Sequence, residues 1–338
     1  MKFQLLFLLA AALFGLSLPA TPASAQALGD SQVIASVPLA GYPEGIATRG
    51  NRFYVSGPAA FGMPLGSAYV QAYDIRSGAL KKTYPITITN PFAGMSAASC
   101  LAFGPDGALY VNEPFVGVIR MNLDANNTQS VYSAFVPTGP SLLNDLAFDG
   151  DGNLFVTDSF AATIYKIPAG GGAASVWFTH PDLAGNPLLP FGVNGIAIDK
   201  NNKFVYVSVT VDADFNGAIY RLPLVDNPVA LDLEPFASLG FTGPDGIAFG
   251  KSGKLYVAQA LSSTITVLNP DGSVDAIYCG PAIDPLGAPL PWSNPANIAF
   301  NDKDRTLLVT NHASLVPYDP NLFVVFDVFV DDKGSPLP

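Results

Sequence analysis

Asn144-Asp145-Leu146-Ala147, Asn194-Gly195-Ile196-Ala197 and Asp245-Gly246-Ile247-Ala248 are copies of one frame, and Glu44-Gly45-Ile46-Ala47, Ser99-Cys100-Leu101-Ala102 and Ala296-Asn297-Ile298-Ala299 repeat it. The leading residues stand 55, 45, 50, 51 and 51 residues apart. Self-similarity at about 40 to 50 residues is the mark of a propeller or solenoid. Each unit opens on a small apolar strand and then turns, as at Gly104-Pro-Asp-Gly107, Asp149-Gly-Asp-Gly152 and Gly250-Lys-Ser-Gly253. These are hairpin signals. An aromatic and β-branched strand follows, such as Leu109-Tyr-Val111, Leu154-Phe-Val156 or Leu255-Tyr-Val257. Third strands such as Ala162–Ile167 and fourth strands such as Ser175–Phe178 complete the unit. Four antiparallel strands repeated six times predict an all-β fold, a six-bladed β-propeller. The last unit supplies three strands, near 296–301, 305–311 and 321–329. Ser31–Val37, which precedes the first inner strand, is expected to supply the fourth and close the ring, leaving no open sheet edge.

The first strand of a propeller blade lines the central channel. The frame's leading column, Glu44, Ser99, Asn144, Asn194, Asp245 and Ala296, therefore lies at one end of that channel. Four of the six carry carboxylate or carboxamide oxygens. Converging hard oxygens with two negative charges suit a hard cation, and Ca²⁺ is the first choice, as one axial ion, with a second left open. Zinc fits less well because no Cys or His occupies the column. The alternative is a polar plug, hydrogen-bonded and filled with water.

Hairpin pairing brings the end of each second strand beside the start of the first. With a turn at Gly150-Asp151, Thr157 comes opposite Asn144, and Asn112, Glu113, Asp158, Gln259, Asn311 and His312 are neighbours at this level. Entry loops add Phe92, Met95, Leu142, Leu143, Leu188, Leu189, Phe191, Phe241, Pro291 and Trp292, and the blade-one loop adds Phe61, Met63 and Leu65. A polar floor under apolar walls fits a pocket for a fairly hydrophobic small molecule. Its expected lining is Ser99, Asn112, Asp158, Phe191, Phe241 and Trp292.

Composition bounds the function. Of 338 residues, 13% are charged, 49% hydrophobic and 11% aromatic, which excludes disorder despite 32 Gly and 30 Pro. The net charge is −11 and there is no basic patch, so neither nucleic acid nor a membrane surface is an expected partner. A monomer is expected. Lys2, the apolar run Leu5–Leu18 and Ala23-Ser-Ala25 form a secretory signal over residues 1–25, cut after Ala25. The run is shorter than the roughly 20 residues of a membrane span. Residues 26–338 are then one propeller domain, secreted or periplasmic. The two cysteines, Cys100 and Cys279, fall on opposite sides of the ring and are expected to be free and buried. Asp149-Gly-Asp-Gly-Asn153 lacks the terminal Glu of a calcium loop and reads as a turn. Gly170-Gly-Gly172 is a strand connection, and Asn126-Asn-Thr128 is a glycosylation sequon.

At these residues the chain resembles the regucalcin, gluconolactonase and luciferin-regenerating-enzyme family, whose architecture diisopropyl fluorophosphatase and the paraoxonases share. The resemblance rests on Pro43-Glu-Gly45, Leu143-Asn-Asp145, Val193-Asn-Gly195 and Pro244-Asp-Gly246. It implies a Ca²⁺ held by Glu44, Asn144, Asn194 and Asp245, and hydrolysis of lactones or related esters. It also implies a base or nucleophile role for Asp245. His312 sits where a blade-six His recurs in diisopropyl fluorophosphatase and is the second catalytic candidate, with a satisfied loop histidine as its alternative. Sugar-lactone members carry an Arg where this chain has Leu142, and Pro and Trp after the Glu where it has Gly45-Ile46-Ala47. These departures favour a less polar lactone or ester. Two other readings stay open. One is a non-catalytic propeller that binds a ligand or partner and keeps a structural Ca²⁺. The other is a metal-free synthase-type propeller like strictosidine synthase.

Overall fold

The computed structural model describes residues 26–59, 68–88, 97–123, 126–135 and 139–336. The signal segment and the loop residues Phe61, Met63, Leu65, Phe92 and Met95 lie outside the described residues. Six four-stranded antiparallel sheets follow one another around an axis as a six-bladed β-propeller. Blade one comprises Ile46–Arg49, Arg52–Gly57, Tyr69–Asp74 and Leu80–Pro85. Blade two comprises Leu101–Phe103, Leu109–Glu113, Gly117–Met121 and Gln129–Ala134. Blade three comprises Leu143–Phe148, Leu154–Asp158, Thr163–Ile167 and Ser175–Thr179. Blade four comprises Val193–Ile198, Phe204–Val209, Gly217–Pro223 and Glu234–Gly240. Blade five comprises Pro244–Phe249, Leu255–Gln259, Thr264–Leu268 and Val274–Cys279. Blade six takes Pro295–Asn301, Thr306–Asn311 and Val324–Phe329 from the C-terminal end and Ser31–Ser36 from the N-terminal end. The closing strand pairs antiparallel, from Ser31 opposite Val328 to Ser36 opposite Val324, as expected. Ala282–Ile283 and Pro289–Leu290 widen this sheet on its outer side, a short hairpin the repeat pattern did not foretell.

Each blade is apolar on both faces because it packs against two neighbours, so its middle strands read as continuous hydrophobic runs. Val55, Val111, Val156, Val207, Val257 and Val309 recur in phase and are all buried. Aromatics fill the wider outer gaps: Phe53 stacks on Tyr73 at 5.0 Å, and Phe155 meets Trp177 edge-on at 4.9 Å. Burial of each such side chain contributes about 1.5–3 kcal/mol. The inner strands converge so closely that the position after the column residue admits no side chain in some blades. A Cβ on Gly195 would lie 2.3 Å from the Asp245 carbonyl oxygen, and one on Gly246 would lie 2.6 Å from Asn297 Cγ.

Both cysteines are free, as expected, but only Cys100 is buried. Cys279 is exposed, because it ends the outermost strand of blade five, where one sheet face meets solvent.

Candidate metal centre

The column residues sit on a bulge. In blade three Leu143 pairs with Asp158 and Leu146 with Val156, so Asn144 and Asp145 together oppose the single residue Thr157. The same extra residue occurs in blades four, five and six, at Asn194-Gly195, Asp245-Gly246 and Ala296-Asn297. Simple hairpin pairing puts Thr157 opposite Asn144 alone. The bulge changes this and turns the column side chain toward the axis, a common use of bulges beside functional sites.

A second in-phase column locks the bulges. The residue after each recurring Val is Ser56, Asn112, Thr157, Ser208, Ala258 or Thr310. Ser208 Oγ accepts from Gly195 N and donates to the Asp245 carbonyl, both at 2.7 Å. Thr310 Oγ1 accepts from Asn297 N at 3.0 Å and donates to the Glu44 carbonyl at 2.7 Å. Thr157 accepts from Asp145 N and donates to the Asn194 carbonyl, and Ser56 bridges Gly45 N and the Ser99 carbonyl. Asn112 Nδ2 donates to the Asn144 carbonyl at 2.9 Å. Each blade with a polar residue there is tied to the backbone of the next blade's column residue. The sequence signal was Val followed by a small polar residue in five of six units, and it was missed.

Above this belt the carboxamides are oriented. Asn194 Nδ2 donates to Thr210 Oγ1 at 3.0 Å, and Thr210 Oγ1 donates on to the Pro244 carbonyl at 2.8 Å. Asn144 Nδ2 donates to Ser159 Oγ at 3.1 Å, and Ser159 Oγ to the Val193 carbonyl at 2.7 Å. With the amide nitrogens tied outward, the amide oxygens turn inward. Glu44 Oε2, Asn194 Oδ1 and Asp245 Oδ1 are buried with no hydrogen-bond partner, and Asn144 Oδ1 has only the Cys100 thiol at 3.9 Å. Orphaned buried acceptors of this kind cost about 1–3 kcal/mol each and need a partner. Burial, then the Asp145 charge, pushes the Glu44 carboxyl up to about 8. Burial, then the Glu44 and Asp145 charges, pushes Asp245 well above the usual carboxylate range. Two carboxylate and two carboxamide oxygens fit a hard divalent cation. Among the described residues no group of three or more His, Cys, Asp or Glu side chains gathers as a metal site, so carboxamides would have to complete the donor set.

The other expected site residues separate into groups. His312 joins the column. Its Nε2 lies 3.2 Å from the Ala59 carbonyl, which can only accept, so Nε2 carries the proton. Nδ1 is therefore bare and stands 3.6 Å from Glu44 Oε2. Burial lowers this imidazole to about 4, so it is neutral at pH 7. Ser99 is fully buried and donates to the Leu143 and Asn144 carbonyls, each at 3.0 Å. Asp158 receives Leu142 N, Phe160 N, Ala161 N and the Ser141 hydroxyl, so its carboxylate builds the loop. Asn112, Glu113 and Asn311 likewise hold strand ends and entry loops. Trp292 stacks on Phe326 at 5.4 Å inside the blade-six core, away from the wall it was expected to form. Phe191, half-buried against Phe160 at 5.3 Å, and Phe241, exposed beside Phe215 at 6.1 Å, remain on the face above the column.

One tier below the column lie Cys100, Asp145 and Asn297, which sequence reasoning did not group. Asp145 accepts from Leu146 N at 2.8 Å and Ile196 N at 3.1 Å, and burial pushes it up to about 6. Asn297 Nδ2 donates to Cys100 Sγ at 2.9 Å. Burial raises the thiol well above its ordinary value, which argues against a nucleophile. Below them the channel holds a cavity of about 530 Å³ lined by Ile46, Leu101, Leu146, Ile196, Ile247 and Ile298 among others.

Comparison with known proteins identifies the family. The family described as the SMP-30/Gluconolactonase/LRE-like region matches residues 66–313. The lactonase drp35 of Staphylococcus aureus (strain MW2) is 26% identical over 214 residues, 59% of this chain and 62% of that protein. The chain thus spans about three-fifths of that relative. The diisopropyl-fluorophosphatase of Loligo vulgaris is 24% identical over 282 residues, 77% of this chain and 82% of that protein. Among solved structures, a calcium-binding regucalcin from Agrobacterium tumefaciens superposes with a TM-score of 0.66 at 17% identity, covering 91% of this chain and 96% of its own, a likeness of fold. By the extent of the family match, this chain belongs to the SMP-30/gluconolactonase/LRE-like family.

Proposed function

We propose that this protein is an exported, calcium-dependent hydrolase of lactones or related esters, acting on a relatively apolar small molecule. One observation supports the reading: three buried oxygens without a hydrogen-bond partner, on Glu44, Asn194 and Asp245, fall in the same in-phase column as Asn144. Glu44, Asn144, Asn194 and Asp245 would hold one axial Ca²⁺, and two carboxylates would balance its charge. When bound, the ion would supply polarisation of the substrate carbonyl and stabilisation of the oxyanion. The net reaction adds water across the acyl C–O bond; the water oxygen joins the carbonyl carbon and a proton passes to the departing alkoxide. Asp245, through its unpartnered Oδ1, is our candidate for holding the proton of the attacking water. His312, neutral with a bare Nδ1, is the second proton acceptor in reach of Glu44. Phe191 and Phe241 would face the apolar part of the substrate. The lactonase and diisopropyl-fluorophosphatase relatives support hydrolysis, and the calcium-binding regucalcin supports the choice of metal. The secretory pattern of residues 1–25 supports a secreted or periplasmic location, and no helix among the described residues is long and apolar enough to cross a membrane.

The test is elemental analysis of the mature protein together with turnover of a lactone and aryl-ester panel, repeated on Asp245→Ala. About one equivalent of calcium, lost with turnover in the variant, is the expected result. Bound calcium with the whole panel untouched would replace this reading with a non-catalytic binding propeller.

A further inference from the structure

Blade six breaks the charge pattern of its own repeat. Opposite the residue before the recurring Val stand Arg120 in blade two, Lys166 in blade three and Arg221 in blade four. Each is ion-paired, to Asp106 at 2.7 Å, Asp226 at 3.0 Å and Glu234 at 2.8 Å. Blades one and five place Ala72 and Val267 there. Blade six instead places an acid, Asp327, opposite Leu308 and only 6% exposed. Its Oδ1 is buried with no hydrogen-bond partner, and its Oδ2 accepts from Gln32 Nε2 at a long 3.4 Å. Among the described residues no Lys, Arg or His lies within ion-pair distance of it.

Two more oxygens on the same sheet face are in the same condition. Residues paired across strands share a face, and so do residues two apart on one strand. Asn301 pairs with Thr306, Thr306 is two residues from Leu308, and Leu308 pairs with Asp327. Asn301 Oδ1 and Thr306 Oγ1 are buried without a partner, in residues 1% and 3% exposed. Thr306 Oγ1 stands beside the Asp327 carboxylate, outside hydrogen-bond geometry. Blades three and four fill the Asn301 position with Asp149 and Asp199, whose Oδ1 atoms each accept two N–H groups of their own turn. The blade-six turn is one residue longer, Phe300 to Leu307 against Phe148 to Leu154, and leaves Asn301 Oδ1 without those donors. Asn301 Nδ2 donates to Asp304 Oδ2 at 3.0 Å, which brings a second carboxylate to the group. A buried carboxylate beside two orphaned oxygens is destabilising unless a cation joins them.

We infer that this face of blade six is a second cation site, separate from the axial column: Asp327, Asn301 and Thr306, with Asp304 at the edge, would hold a hard divalent cation, and the all-oxygen donor set selects Ca²⁺. Asp327 pairs with Gln32 of the N-terminal closing strand, so the ion would steady the closure of the ring. With few protein donors its affinity belongs to the weak class of extracellular modules, about 10⁻⁴–10⁻³ M. An ion held so weakly is lost on desalting, and an elemental count then reports the axial ion alone.

The test is the calcium dependence of Tm in the mature protein carrying Asp245→Ala, which disables the axial column. Tm should rise by a few degrees between about 0.1 and 10 mM calcium, and adding Asp327→Asn should abolish the rise. In calorimetric titration, Asp327→Asn alone should lose the weak calcium site and keep the tight one. A Tm of the Asp245→Ala protein that ignores calcium over this range, or a rise that survives Asp327→Asn, would overturn the proposal. Should Asp245→Ala fail to fold, the titration decides: a weak site unchanged in Asp327→Asn, or none in the wild type, overturns it as well.

Discussion

Asn194 shows how a candidate ligand oxygen is aimed. Its amide nitrogen is fixed by Thr210, whose own proton is committed to the Pro244 carbonyl, so Oδ1 has one direction left. Thr210→Val keeps the volume and removes the hydroxyl. Loss of such an orienting partner weakens metal binding by about 10- to 100-fold. Calcium titration calorimetry should show that drop, with Thr210→Ser close to the original; an unchanged affinity would mean that Thr210 does not orient the ligand. The acids give a second expectation. Without metal, folded Glu44 holds its proton up to about 8, whereas the unfolded chain releases it near 4.5. The native state therefore binds more protons across that window, and stability falls as pH rises through it, by up to about 1.4 kcal/mol per pH unit per proton. Asp245 shifts in the same direction and adds to the slope. In chelator, Tm should be higher at pH 5 than at pH 8, and saturating calcium should cancel the difference. A Tm that rises toward pH 8 in chelator would contradict this. The column was legible in the sequence because a polar residue at the mouth of an apolar strand, repeated in phase, fits neither a packed core nor a solvated surface. Asp158 and Trp292 were not, because proximity to the column says nothing about which backbone groups or ring faces a side chain is already serving.

At the level of the strand, the inner hairpins join two features that stand apart in the sequence, the bulge and the Val-plus-hydroxyl pattern. A bulge leaves one backbone N–H without a ladder partner, and the hydroxyl on the facing strand supplies it while reaching across to the next blade. Thr157 does both. Thr157→Val should strand the Asp145 N–H and the Asn194 carbonyl in a fully buried seam, at a cost of about 1–3 kcal/mol. Urea unfolding should show a lower midpoint with an unchanged m-value; a wild-type midpoint would mean that the seam bonds contribute no net stability. The strands themselves were legible from periodicity and turn residues. The bulges were not, because an extra residue alters pairing without altering the hydrophobic pattern that reports it. The same limit applies to Ala282–Ile283 and Pro289–Leu290, whose short pairing carries no alternation to detect.

Across the whole molecule, the ring is closed twice, and the two closures predict different consequences. Ser31–Ser36 completes blade six from the N-terminal side, with Ala35 buried against the core that contains Val325 and Phe323. The C-terminal segment then crosses the face opposite the polar column and ties blade six to blade five. Lys251 N donates to the Lys333 carbonyl at 2.7 Å, Ser335 N to the Phe249 carbonyl at 2.8 Å, and Gly334 N to Asp302 Oδ1 at 2.7 Å. Asp332 takes the Ser252 hydroxyl and the Tyr256 hydroxyl on the blade-five hairpin. Ser335 and Pro336 thereby come to line the mouth of the lower channel cavity. These contacts are polar and partly exposed, worth about 0.5–1.5 kcal/mol each at most, whereas the strand closure buries apolar surface along a full sheet edge. Truncation after Val330 should therefore lower Tm by only a few degrees. Calcium affinity should stay at the full-length value, since the column is held from the other end of the channel. Ala35→Asp, which places an unpaired charge in the closing strand, should instead destabilise by more than about 3 kcal/mol and weaken calcium binding with it, because opening blade six frees the strand that carries the Thr310 tie to Glu44 and leads into His312. Thermal melts and calcium titrations of the two variants separate the cases. A truncation that abolishes calcium binding would show that the tail, rather than the strand, fixes the geometry of the ring.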